Sequence, residues 1–104
     1  MTFEADFITD ETIRFRAIFR DWPKDDGSPG DIVEPQLIKW ILYDRYWKKI
    51  VEKNIDPATK LESGYYQIFH NIEKASIYYY EWRAEISGMP AIARKKIVIK
   101  KIIE

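Results

Sequence analysis

The chain predicts an all-β fold, an antiparallel sandwich or barrel, from three observations. Apolar and polar residues alternate with period two over several segments, those segments are rich in β-branched and aromatic residues, and clusters of Pro, Gly, Asn and Asp separate them at a spacing of roughly ten residues. At 104 residues the chain is one domain, because halves of about 50 residues bury too little surface to stand without staples. Its 46% hydrophobic and 15% aromatic content is enough for a sizeable core, and its 33% charged content is enough to solvate the outside.

Residues 1–10 read as an extended N-terminal arm that is acidic at Glu4, Asp6 and Asp10. From 11 to 20, Ile13, Phe15, Ala17 and Phe19 alternate with Arg14, Arg16, Ile18 and Arg20, an amphipathic strand with one basic face. Residues 21–31 hold Pro23, Pro29, Gly27, Gly30 and four aspartates, which forbid regular pairing and predict a long surface loop, either a crossing between sheets or a protrusion.

Residues 37–53 support two readings. As a strand, Ile38, Trp40 and Leu42 face inward, residues 44–47 turn, and residues 49–52 return. As a helix, Leu37, Ile38, Ile41 and Leu42 form a stripe. The strand is preferred because β-branched and aromatic residues dominate and Pro35 sits just before it, although no glycine marks the turn.

Residues 54–60 are a breaker-rich connection. A strand over 65–69 follows with Tyr66 and Ile68 inward, then a turn at 71–76. In the next strand Tyr78, Tyr80, Trp82 and Ala84 share the inner face, with Tyr79, Glu81, Arg83 and Glu85 on the other. Residues 87–90 are expected to turn, and a last strand to run from about 93 to 103 with Ile97 and Ile99 inward and Lys96, Val98 and Lys100 outward.

Seventeen basic and seventeen acidic residues cancel, which argues against specific nucleic-acid binding or attraction to an anionic membrane. The longest apolar runs are far too short to cross a bilayer as a helix, and the opening residues lack the basic and apolar regions of a signal peptide. Without cysteine there is no disulfide framework and no thiolate metal site. His70 is the only histidine and reads as an exposed residue at a strand end, and the spacing of Asp21, Asp25, Asp26 and Asp31 does not match an EF-hand loop, so no metal or other cofactor is expected. Nucleophile elbows, phosphate-cradling glycine loops and zincin motifs do not occur, and Glu81 and Glu85 read as cross-strand partners of basic residues. The chain is therefore expected not to be an enzyme.

Four tryptophans and seven tyrosines exceed what so small a core must hold. Trp22 and Trp47 fall in a loop and a turn, and Tyr65 and Tyr79 on outward faces, so these four are candidates to anchor a protein partner. The loop carboxylates Asp25 and Asp26 and the basic final strand, through Lys96 and Lys100, complete the expected contact set.

Taken together, Glu34-Pro35 before Ile38-Lys39-Trp40-Ile41-Leu42-Tyr43-Asp44, then Ser63-Gly64-Tyr65-Tyr66, then Tyr78-Tyr79-Tyr80-Glu81-Trp82-Arg83-Ala84 and Gly88, resemble the small immunoglobulin-like proteins that tailed bacteriophages encode among their morphogenesis genes. The likeness spans about residues 11–100. Where that family has a glycine-containing turn before its Tyr-x-Trp strand, this chain has Lys74-Ala75-Ser76, and residues 44–47 replace an Asp-Pro-Asp-Gly-like turn. The resemblance implies an immunoglobulin-like antiparallel sandwich with Trp40 and Trp82 meeting from facing sheets. It also implies a virion structural protein, assembled in the host cytoplasm as an adaptor or joining subunit of the neck or head–tail region, or as a capsid decoration. Its partners would be connector, capsid or tail subunits, with copies of the chain in a ring or symmetric array. The alternatives are a carbohydrate- or surface-binding sandwich module and, on the helical reading of 37–53, a small regulator of a host protein.

Overall fold

The computed structural model describes residues 7–8 and 12–100, which form seven strands: β1 (Phe7–Ile8), β2 (Thr12–Ile18), β3 (Gln36–Tyr43), β4 (Lys49–Asn54), β5 (Tyr65–Asn71), β6 (Ser76–Ile86) and β7 (Met89–Lys100). A 3-10 turn, Pro57–Thr59, is the one helical element among the described residues. Apart from β1, the expected N-terminal arm lies outside them. The strands make two separate sheets and not a closed barrel: a five-stranded sheet in the order β1-β7-β6-β3-β4 and a two-stranded sheet, β2-β5. Every pairing is antiparallel except the short parallel one between β1 and β7.

Period-two patterning explains how the sheets meet. Ile13 and Phe15 of β2, followed by Phe19, and Tyr66 and Ile68 of β5 turn one face of the small sheet inward. They meet Ile38, Trp40 and Leu42 of β3 and Tyr78, Trp82 and Ala84 of β6. Phe15 lies 4.8 Å from the Trp40 ring and 4.7 Å from Tyr80, while Phe19 packs edge-on against Tyr66 and Trp82. Trp40 and Trp82 do not come from facing sheets as the resemblance implied. They are register partners on adjacent strands β3 and β6 of one sheet, and the facing sheet answers with Phe15, Phe19 and Tyr66. Their buried indole N–H groups meet no acceptor among the described residues, a cost of about 1–3 kcal/mol each that the burial of two such rings outweighs.

Residues 36–53 are strand, turn and strand, so the helical reading does not hold. The turn forms without glycine by two devices. One carboxylate oxygen of Asp44 accepts from the backbone N–H groups of Tyr46 (2.8 Å) and Lys48 (2.9 Å), and Trp47 itself takes the left-handed conformation at φ 63°. The long loop is the crossing from the small sheet to the large one. Its limbs run side by side, with Asp21 N–H donating to the Asp31 carbonyl and Val33 N–H to that of Phe19.

The last strand begins earlier than expected. Ser87 (φ 53°) and Gly88 (φ 77°) alone make the hairpin turn, and Met89 already pairs with Ile86. Pro90 belongs to β7, as an edge strand permits, because a proline there forfeits no hydrogen bond in the sheet interior. Val98, expected outside, is buried opposite Ile77.

Candidate functional site

The outer face of the five-stranded sheet departs most from a simple solvated surface. Period two puts Tyr79, Glu81 and Arg83 of β6 on this face, and register adds Tyr43 and Ile41 from β3 and Lys96 and Arg94 from β7. Tyr43 sits opposite Tyr79, and Glu81 lies between Ile41 and Arg94.

Glu81, read as a cross-strand partner of basic residues on the outer face, does pair with cations, and its side chain is wholly buried. Arg83 donates from Nε to Oε2 at 2.6 Å, Tyr43 donates from its hydroxyl to the same oxygen at 3.1 Å, and Arg94 donates from Nε to Oε1. Burial works to raise the Glu81 pKa, yet the hydrogen bonds from Arg94, Arg83 and Tyr43 outweigh it and hold the carboxyl below its ordinary range. Burial and the same carboxylate push the Tyr43 hydroxyl up. Each guanidinium engages Glu81 through Nε, which leaves its terminal nitrogens for other acceptors, and both arginine side chains remain about half exposed. The buried acid thus fixes two cations at the surface.

Beside them stands an aromatic group. Trp47 stacks on Tyr79 with centroids 4.1 Å apart and planes 15° from parallel, Tyr43 lies 5.5 Å from the Trp47 ring, and the Arg94 guanidinium lies 5.7 Å from it. Trp47 is nevertheless 47% exposed. An αL backbone costs a bulky residue about 1–2 kcal/mol relative to glycine, and a stacked aromatic pair returns about 0.5–1.5 kcal/mol. Strain and stacking therefore roughly cancel, and what the fold gains from Trp47 is the burial of about half of its side chain.

Of the expected contact residues, the structure brings together Trp47, Tyr79 and Lys96, the last being opposite Tyr79 on β7. The others are dispersed. Trp22, 50% exposed, and the exposed Asp25 and Asp26 belong to the crossing loop, where Asp26 accepts from the backbone and hydroxyl of Ser28. Tyr65 is half-buried on the small sheet opposite Ile18, and Lys100 is at the end of β7 beside β1. The expectation missed Tyr43, Glu81, Arg83 and Arg94 as parts of one cluster. Alternation alone placed Tyr79, Glu81 and Arg83 on one face, but only the register with β7 and the folding back of the β3–β4 turn add Arg94 and Trp47.

His70, expected to be exposed at a strand end, is half-buried with its ring 5.5 Å from Trp40. Burial, then the nearby Lys53, lowers its pKa. Among the described residues no three His, Asp or Glu side chains gather as a metal site. Comparisons with protein families, curated proteins and solved structures give no match.

Proposed function

We propose that this chain is a non-enzymatic structural adaptor that acts through protein–protein contacts, with the outer face of the five-stranded sheet as its docking surface. The observation that carries this reading is Trp47. A large aromatic held in a strained turn and prestacked on Tyr79 keeps about half of its surface exposed for a partner, and backbone strain kept by the surrounding structure is characteristic of working sites. Tryptophan, tyrosine and arginine are the residues in which interface binding energy concentrates, and here Glu81 orders both arginines before any partner arrives.

The strand order supports an immunoglobulin-like sandwich as the finer fold. With β2, β3, β5, β6 and β7 read as strands B, C, E, F and G, B and E share one sheet and C, F and G the other, as in immunoglobulin domains. Together with the sequence resemblance, this favours the virion setting: a joining subunit or decoration that contacts connector, capsid or tail subunits, repeated in a ring or symmetric array.

The test is incorporation into particles, with the chain produced alongside the proteins of its genomic neighbours. Wild-type protein is expected to co-sediment with assembled particles, and Trp47→Gly, compared at a temperature where circular dichroism shows it fully folded, to lose roughly tenfold or more in occupancy. If assembled particles do not take up the wild-type chain, or take up Trp47→Gly as fully, the reading falls.

A further inference from the structure

The aromatic face carries more positive charge than its own acids answer. Period two and register put Lys39 of β3 beside Arg83 of β6, Arg94 of β7 beside Glu81, and Lys96 of β7 beside Tyr79, all on the outer side of the five-stranded sheet. These four cations surround one carboxylate, and that carboxylate is fully committed. Glu81 is buried, with Oε2 taken by Arg83 and Tyr43 and Oε1 by Arg94. The other acids of the face stand at its margins: Glu52, on β4 and separated from Glu81 by β3, lies 3.9 Å from Lys49, and Glu85, near the end of β6, lies between Gln36 and Pro90. Lys39 and Lys96 have no ion-pair partner among the described residues.

We propose that the segment a partner protein lays on this face is acidic: its carboxylates bind the terminal nitrogens of Arg83 and Arg94 and the ammonium of Lys96, and apolar side chains beside them cover the exposed half of Trp47. This names the partner's chemistry for the adaptor reading and rests on that reading. A guanidinium already held through Nε presents its terminal nitrogens in a fixed orientation, so a carboxylate that docks there spends little on ordering the side chain. Arg94 lies 5.7 Å from the Trp47 ring, and Lys96 is opposite Tyr79, on which that ring stacks, so the charged and aromatic contacts are contiguous. A second copy presenting the same face would set these cations against one another. A nucleic acid would meet a short patch and not a continuous basic groove, on a chain of zero formal net charge.

The test is nuclear magnetic resonance on the full chain, following the Trp47 indole N–H and the Nε–H signals of Arg83 and Arg94. The chain is titrated with a short peptide of leucine and aspartate, with its leucine and asparagine counterpart, and with an oligothymidine. The acidic peptide is expected to shift these signals saturably, and the asparagine peptide to bind roughly tenfold or more weakly. Lys39→Glu combined with Lys96→Glu, which removes no bond to Glu81, should weaken the acidic peptide roughly tenfold or more while the circular dichroism spectrum stays that of the wild type. Equal binding of the two peptides, no shift with either, or tighter binding of the oligothymidine overturns the proposal. Particle uptake separates this failure from that of the adaptor reading. If Trp47→Gly is excluded while the double lysine variant is taken up fully, the adaptor stands and the acidic partner falls; a wild-type chain that particles do not take up overturns the adaptor instead.

Discussion

Glu81→Ala is expected to lower stability by about 3 kcal/mol, measured by urea denaturation at neutral pH. Removing one member of a buried ion pair generally costs about 3–5 kcal/mol. The low end applies because the stranded partners, Arg83 and Arg94, are about half exposed and return to water. Glu81→Gln keeps the volume and one acceptor, so about 2 kcal/mol is expected from loss of the charged bonds alone. The two substitutions also differ from the wild type in acid. The folded-state pKa of Glu81 is depressed, so its contribution is complete above the ordinary value of 4.5 and disappears as pH falls through the lower folded value. Stability of the wild type should drop more steeply below pH 4.5 than that of Glu81→Gln. A residual slope in the variant is expected from Glu34, whose carboxyl is held low, against its burial, by Tyr66, Gly64, Ser63 and Lys60.

Gly64→Ala is the second large effect, about 3 kcal/mol, or a fall of roughly 15 °C in Tm for a domain of this size. Gly64 sits at φ 81°, where an L side chain is strained by about 1–2 kcal/mol. An added Cβ would also lie 2.4 Å from the Ile32 side chain and 2.8 Å from the Val33 carbonyl oxygen. The crossing loop could not move aside freely, because Gly64 is also a strap: its N–H donates to Glu34 at 3.0 Å and its carbonyl accepts from Phe19 N–H at 2.9 Å. Gly88→Ala, also at positive φ but with open space around it, should cost only the conformational part, and thermal melts of the two variants separate the two terms.

Alternation and turn chemistry made most of this architecture legible. Ile13 and Phe15, Ile38, Trp40 and Leu42, Tyr66 and Ile68, and Tyr78 and Trp82 all lie on the faces that period two assigns them. What local pattern does not encode is pairing. Whether Trp82 faces Trp40 across a core or lies beside it in one sheet depends on strand order, which single-strand periodicity leaves undetermined. The β3–β4 turn was hard to read because its positive φ falls on a tryptophan and its cap on Asp44, not on a glycine. Glu81 looked like any outward carboxylate, since its burial is produced by residues 38 positions before it and 13 after it, Tyr43 and Arg94. The candidate site was therefore legible only in parts, with Trp47, Tyr79 and Lys96 each recognisable as exposed and their meeting invisible before the register was known.

Site-specific photo-crosslinking decides whether the face around Trp47 is the one that meets a partner. A benzophenone-bearing phenylalanine analogue placed at position 47, and separately at position 22, would report which face meets a partner in assembled particles. The expected result is crosslinks to a particle protein from position 47, with few or none from position 22 in the crossing loop. Crosslinks from position 22 alone, with position 47 silent in a chain that is incorporated normally, would contradict it.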